Sequence, residues 1–115
     1  MESIHSYLLK FAPKRSNKPI VLSEFGGYSL RIGDHSTTKS SYGYKYFESA
    51  DALMEAILKV YENEVAPAIG MGLCACIYTQ FSDIETETNG LVTYDRRYIK
   101  ADDKVFAKIA GLLKM

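Results

Sequence analysis

Lys18-Pro19-Ile20-Val21-Leu22-Ser23-Glu24-Phe25-Gly26-Gly27 is the stretch on which the reading of the fold turns. Pro19 opens a short apolar run. A run without polar alternation reads as a strand covered on both faces, which is the habit of parallel sheets. One acid, Glu24, stands where the run ends, and two glycines follow it at once. Glycine reaches backbone conformations closed to other residues, so the chain can turn here and leave room beside the carboxylate. A carboxylate at the C-terminal end of a parallel strand is where (β/α) barrels carry their chemistry. The plainer reading is a strand that ends in a solvated acid before a turn.

A second run of the same character spans Leu73 to Tyr78 and ends in Thr79-Gln80. Between the two, Ser49 reads as the cap of a helix, with Asp51 in its first turn facing the positive end of the dipole. Leu53, Met54, Ile57, Leu58, Tyr61 and Val65 make its apolar stripe; Asp51, Glu55, Lys59, Glu62 and Asn63 fill the other side. Pro67 bends or ends it, and Gly70 and Gly72 release the chain. Two strands joined through a helix predict parallel pairing with a right-handed connection. Upstream, Ile4, Leu8 and Phe11 fall at helical spacing with Tyr7 flanking, so residues Glu2 to Phe11 read as a short amphipathic helix closed by Pro13. His5 reads there as a surface or packing residue, and Lys14 to Lys18 as a solvated basic link. Near the C-terminus, Asp102 or Asp103 starts a last helix with Val105, Phe106, Ile109, Leu112 and Leu113 inward. The order is helix, strand, helix, strand, helix, in one domain over residues 1–115.

Composition narrows the class. The 115 residues hold one modest core. Fourteen basic and fourteen acidic side chains cancel, so no field gathers nucleic acid or an anionic membrane. No run approaches a membrane span and no signal-peptide core opens the chain, which favours a cytoplasmic setting. Cys74 and Cys76 lie two apart in a strand-like run. Their side chains would stand parallel, a poor geometry for a disulfide, and no His or Cys cluster supplies further metal ligands. Buried free thiols in a reducing compartment follow.

Two connections are chemically rich. Tyr28 to Phe47 is long and holds Tyr28, Arg31, Asp34, His35, Tyr42, Tyr44 and Tyr46, a polar and aromatic set of the kind that lines ligand clefts. After the second strand come Asp83, Glu85 and Glu87, an Asn89-Gly90 turn, a short extended segment at Leu91 to Tyr94 and a charge-paired loop at Asp95-Arg96-Arg97.

Three segments in order resemble the end of a glycoside hydrolase family 2 catalytic barrel, the family of β-galactosidases, β-glucuronidases and β-mannosidases. They are Pro19 to Gly27, Tyr78-Thr79-Gln80-Phe81-Ser82-Asp83-Ile84-Glu85, and Asn89-Gly90-Leu91-Val92-Thr93-Tyr94-Asp95-Arg96. The resemblance runs from about residue 18 to the C-terminus. It implies an α/β fold that is part of a (β/α)8 TIM barrel: the last two βα units, with the two runs as parallel strands seven and eight. It places the catalytic nucleophile at Glu24, with Tyr78 and Gln80 as neighbours in the site and Arg31, His35, Asp83 and Glu85 as further substrate contacts. Strict alternation from an inward Glu24 puts Leu22 and Ile20 beneath it inside the barrel, with Gln80, Tyr78, Cys76 and Cys74 inward on the next strand. Val21, Leu73, Ala75 and Ile77 then face the helices.

A retaining glycosidase needs a second acid beside its nucleophile. The family carries it at the end of the fourth strand, which nothing before residue 18 can supply. The resemblance therefore implies a carbohydrate hydrolase present here as a fragment inactive alone, without metal or organic cofactor. Its cut strand edges should pair between copies into a homo-oligomer. The rival reading is a self-contained α/β module that binds a carbohydrate or a partner without catalysis.

Overall fold

The computed structural model describes residues 1–7 and 9–114. Three parallel strands form the central sheet in the order β1 (Glu2–Ser6), β2 (Ile20–Gly26), β5 (Leu73–Thr79). A short parallel pair, β3 (Tyr28–Ser29) and β4 (Lys45–Tyr46), lies in the long connection. Helix α1 (Ala50–Val60) continues through a wide turn at Tyr61–Val65 into α2 (Ala66–Ile69), and α3 (Asp103–Leu112) closes the chain. The α/β class with parallel strands is as the sequence reads. Among the described residues, no helix is long and apolar enough to cross a membrane.

The first element differs from its reading. Glu2 to Ser6 is a strand, so the chain holds three parallel strands rather than two. Ile4 and Phe11 suit a helical stripe by spacing alone, but the partners that decide the matter lie on and beside β2: Glu2 N–H donates to Pro19 O at 2.9 Å, and β1 pairs in parallel with β2 from Glu2 opposite Ile20 to Ser6 opposite Phe25. Short apolar patterns do not separate helix from strand when a partner edge is available. Phe11 still reaches the core, from the loop beyond the strand. Leu8 lies outside the described residues.

The parity of β2 also differs. Ile20, Leu22 and Phe25 all face the helices and are buried there with Leu53, Ile57, Tyr61 and Val65. Leu22 and Phe25 cannot share a face by strict alternation, and the register shows how they do. Against β1, Ile4 pairs with Leu22 while His5 pairs with Glu24, so Ser23 is an extra residue. Pairing with β5 also slips between Leu22 and Phe25. A bulge of this kind re-aims the side chains beside it. Here it leaves Ser23 and Glu24 away from the helices, and Ser23 is tied to Ser3 Oγ at 2.6 Å and to Ile4 O at 3.1 Å. On β5, Cys76 and Tyr78 pack toward the core, whereas Ala75 and Ile77 face out, the reverse of the expected parity.

The helices follow the sequence closely. Ser49 Oγ accepts from Ala52 N–H at 3.1 Å and caps α1. The helical path runs past Pro67 to Ile69. A proline ring crowds the carbonyl four residues back and offers no N–H to it; the preceding turn is wide, with Ala66 N–H reaching Tyr61 O, which opens the helix by one residue where the ring must fit. Asp102 caps α3 by accepting from Val105 N–H at 3.0 Å, and Ile109 enters the core from it.

The connection from Tyr28 to Phe47 is not structureless. It docks on the loop after β5 through Leu30 N–H to Thr88 O at 3.0 Å, Tyr42 N–H to Thr86 O at 2.6 Å, Thr37 Oγ1 to Glu85 O at 3.1 Å, and the hydroxyls of Ser41 and Thr88. Two loops that leave the same end of adjacent strands are thus fastened to each other above the sheet.

Candidate functional site

Glu24 stands at the C-terminal end of the central strand, half-exposed. Its Oε2 accepts from the Tyr7 hydroxyl at 2.7 Å, and His5 Nδ1 lies 3.6 Å from the same oxygen. Tyr7 Oη also reaches Thr79 Oγ1 at 3.2 Å, so the ends of all three parallel strands meet at this point. Burial, together with the bond to Glu24, pushes the Tyr7 phenol up to about 12. Tyr7 therefore remains a hydrogen-bond donor throughout the neutral range. Tyr44, delivered from the long loop, stacks on Tyr7 with ring centroids 4.4 Å apart and planes 16° from parallel.

The two glycines after Glu24 have distinct tasks. Gly26 has φ +97°, and a Cβ there would come within 2.5 Å of the Tyr78 ring. Gly27 has φ +68°, and a Cβ there would come within 2.6 Å of the Tyr44 ring and 3.1 Å of the Tyr7 ring. The space beside the carboxylate is real, but tyrosines occupy it from two sides. An L side chain at either position would be strained in backbone and blocked in space.

The remaining residues singled out from sequence divide sharply. Tyr78 turns away from Glu24: it packs edge-on against Phe25 and Tyr28 on the helix side, with its hydroxyl buried and unbonded, and burial pushes that phenol far up. It supports the end of β2 from behind and does not line the open side. Gln80 lies just past Thr79, but its amide donates to Glu87 Oε2 and Asn89 Oδ1, both at 3.2 Å, and so braces its own loop.

Arg31 is turned to its own loop too, donating to Thr38 O at 2.9 Å. His35 Nδ1 meets Asp95 Oδ2 at 2.7 Å, and Thr93 Oγ1 and Arg97 N–H donate to Asp95 Oδ1 at 2.6 and 3.0 Å. His35 and these donors hold the Asp95 carboxyl far below the usual range. The side-chain ring that meets Asp95 is therefore His35, not a neighbouring arginine, and the contact links the two loops. Glu85 is exposed at φ +51° in the tight turn closed by Ile84 and Glu87.

Asp83 is buried. Its Oδ1 accepts from Lys100 Nζ at 2.7 Å and from Gly90 N–H at 2.8 Å, and Lys100 also donates to Thr88 O at 2.8 Å. Burial raises the carboxyl and lowers the amine, while their mutual attraction opposes both shifts. This is a structural knot at the base of the loop and holds no open face toward Glu24.

The residues that sequence reasoning missed are Tyr7, His5 and Thr79. Tyr7 and His5 reach Glu24, and Thr79 reaches the Tyr7 hydroxyl, because Glu2–Ser6 is a strand beside β2 and Thr79 ends the strand on its other side. The available signal was Ser3, His5 and Tyr7 at period two, weaker than the helical stripe over the same residues. Among the described residues, no group of three or more His, Cys, Asp and Glu side chains is placed to hold a metal ion. Cys74 and Cys76 are free thiols, but they are not buried as expected: Cys74 is exposed and Cys76 is half-buried against the core. No protein-family model matches the chain, and no curated protein matches it either.

Proposed function

We propose that this chain carries the nucleophile of a retaining β-glycosidase site of the family 2 kind, on strands that belong to a (β/α)8 barrel. The observation that supports the reading best is the setting of Glu24. A bulge aims it away from the helices at the C-terminal end of the central parallel strand. One oxygen is held by a tyrosine hydroxyl and the side chain stays reachable from solvent. Fixed direction and open access together are what a carboxylate nucleophile requires.

In such a reaction Glu24 attacks the anomeric carbon and a glycosyl ester forms as the bond to the leaving oxygen breaks. A second carboxylic acid, about 5 Å from the first, gives that oxygen its proton; the same residue then takes a proton from the water that frees the sugar. No metal or organic cofactor enters these steps. Among the described residues, the side chains in bonding reach of Glu24 are Tyr7 and His5. On the family 2 reading the acid/base is the glutamate at the end of the fourth barrel strand, outside these 115 residues, and the chain alone is expected to be inactive on unactivated glycosides. Loss of that proton transfer costs roughly 100- to 10,000-fold in rate. Arg31, His35 and Glu85 remain candidates for substrate contact only if the loops that hold them open.

The test is Glu24→Gln in the full-length gene product, assayed on a panel of nitrophenyl β-glycosides. Turnover is expected to vanish while binding of the sugar persists. Near-normal turnover would sink the assignment and favour a binding module built on the exposed tyrosines Tyr42, Tyr44 and Tyr46.

The sheet also supports association between copies. β1 and β5 are both edge strands, and Ala75 and Ile77 are exposed on the face away from the helices. Unpaired edges of this kind template pairing with another chain. Light scattering of the 115-residue chain at micromolar concentration is expected to give at least a dimer mass; a strictly monomeric mass would refute this.

A further inference from the structure

We infer that Tyr44 is a positioning residue for Glu24: by stacking on Tyr7 it fixes the hydroxyl that holds the carboxylate, so the long loop sets the direction of the acid on the neighbouring strand. The inference rests on the proposed role of Glu24 as nucleophile, but its geometry can be tested apart from that role.

The arrangement is built rather than incidental. Tyr44 N–H donates to Gly27 O at 3.2 Å, and Tyr28 pairs with Lys45 in the short β3–β4 ladder, which brings Tyr44 beside Gly27. The absence of a side chain at Gly27 lets the Tyr44 and Tyr7 rings approach to 4.4 Å. Lys45 lies 5.4 Å over the Tyr28 ring and Ser29 Oγ donates to Tyr42 O at 3.2 Å, which fastens the loop on each side of Tyr44. Tyr7 itself follows the last residue of an edge strand, and among the described residues no strand pairs with the outer side of that strand. A ring in that place keeps one rotamer only if something covers its free face, and Tyr44 is what covers it. The Tyr44 hydroxyl is not needed for this; a flat ring is.

The loop that carries Tyr44 is in turn docked on the loop after β5 through Tyr42 and His35. Events at those loops therefore reach Glu24 through two rings in contact. A substrate that displaced the loop would release the carboxylate; one that pressed it down would hold it. Tyr44 is thus the point at which a mobile-length connection can act on the reacting group.

The experiment is carbon-13 NMR of the 115-residue chain with tyrosine labelled at Cζ, near neutral pH. The Tyr7 signal reports its hydrogen bond to Glu24, and Glu24→Ala gives the position of that signal with no acceptor at residue 24. In Tyr44→Ala the Tyr7 signal is expected to move most of the way to its Glu24→Ala position, while Tyr44→Phe leaves it where the unaltered chain has it. The buried Tyr61 and Tyr78 signals report whether each variant is folded. If Tyr44→Ala does not fold, Tyr44→Leu keeps bulk without a flat ring and is expected to give the same displacement. A Tyr7 signal unmoved in a folded Tyr44→Ala or Tyr44→Leu chain would overturn the inference. Because this readout needs no turnover, it stands or falls separately from the nitrophenyl assay that judges Glu24 as nucleophile.

Discussion

Glu24 and Asp83 are two carboxylates that the sequence places near the ends of its two apolar runs, the first read as the nucleophile and the second as a substrate contact. The fold treats them in opposite ways. Glu24 keeps nearly half of its side chain exposed and takes its one close bond from a neutral donor. Asp83 is 3% exposed, is met by an ammonium at 2.7 Å and a backbone N–H at 2.8 Å, and closes a loop. A charged partner at contact distance saturates a carboxylate and holds a structure together. A neutral donor directs a carboxylate and leaves it free to act. The difference between the two acids lies in the partner, and in both cases the partner comes from a distant part of the chain.

That difference has measurable consequences for stability. Lys100→Met should be the most damaging change, since it leaves a buried charge on Asp83 and frees Thr88 O as well. Breaking a buried pair from one side costs about 3–5 kcal/mol, read as a lowered urea midpoint. Tyr78→Phe should be smaller and of opposite sign. The Tyr78 hydroxyl is buried without a partner, so its removal should stabilise the chain by about 1 kcal/mol. Glu24→Gln should be nearly silent, within about 0.5 kcal/mol, because the site is open and an amide oxygen still accepts from Tyr7. If Glu24→Gln destabilises as strongly as Lys100→Met, the two carboxylates are alike and both are structural.

Much of the frame could be read from sequence because its signals are local. The cap at Ser49, the stripe of Leu53, Ile57, Tyr61 and Val65, and the apolar run before Glu24 each need only nearby residues to be interpreted. The site was less legible. Tyr7 sits 17 residues before Glu24 and reaches it through strand pairing, which the period-two spacing of Ser3, His5 and Tyr7 signals more weakly than the helical stripe over the same residues. The inward parity of β2 failed because one bulge, at Ser23, reverses the alternation for everything before it. Asp83 read as a site acid because Lys100, 17 residues away, carries no local sign that it is buried. What escaped was in each case a contact between segments rather than a property of one segment.

The central claim is that Glu24 attacks the anomeric carbon. It is tested most directly by incubating the full-length gene product with 2,4-dinitrophenyl 2-deoxy-2-fluoro-β-glycosides and mapping the adduct by mass spectrometry. Dinitrophenolate leaves without a proton, and the fluorine slows release of the ester, so the nucleophile is trapped whatever supplies the acid. The expected result is one glycosyl unit on the peptide containing Glu24, absent from Glu24→Gln. An adduct on another residue, or none with any sugar of the series, would contradict the claim.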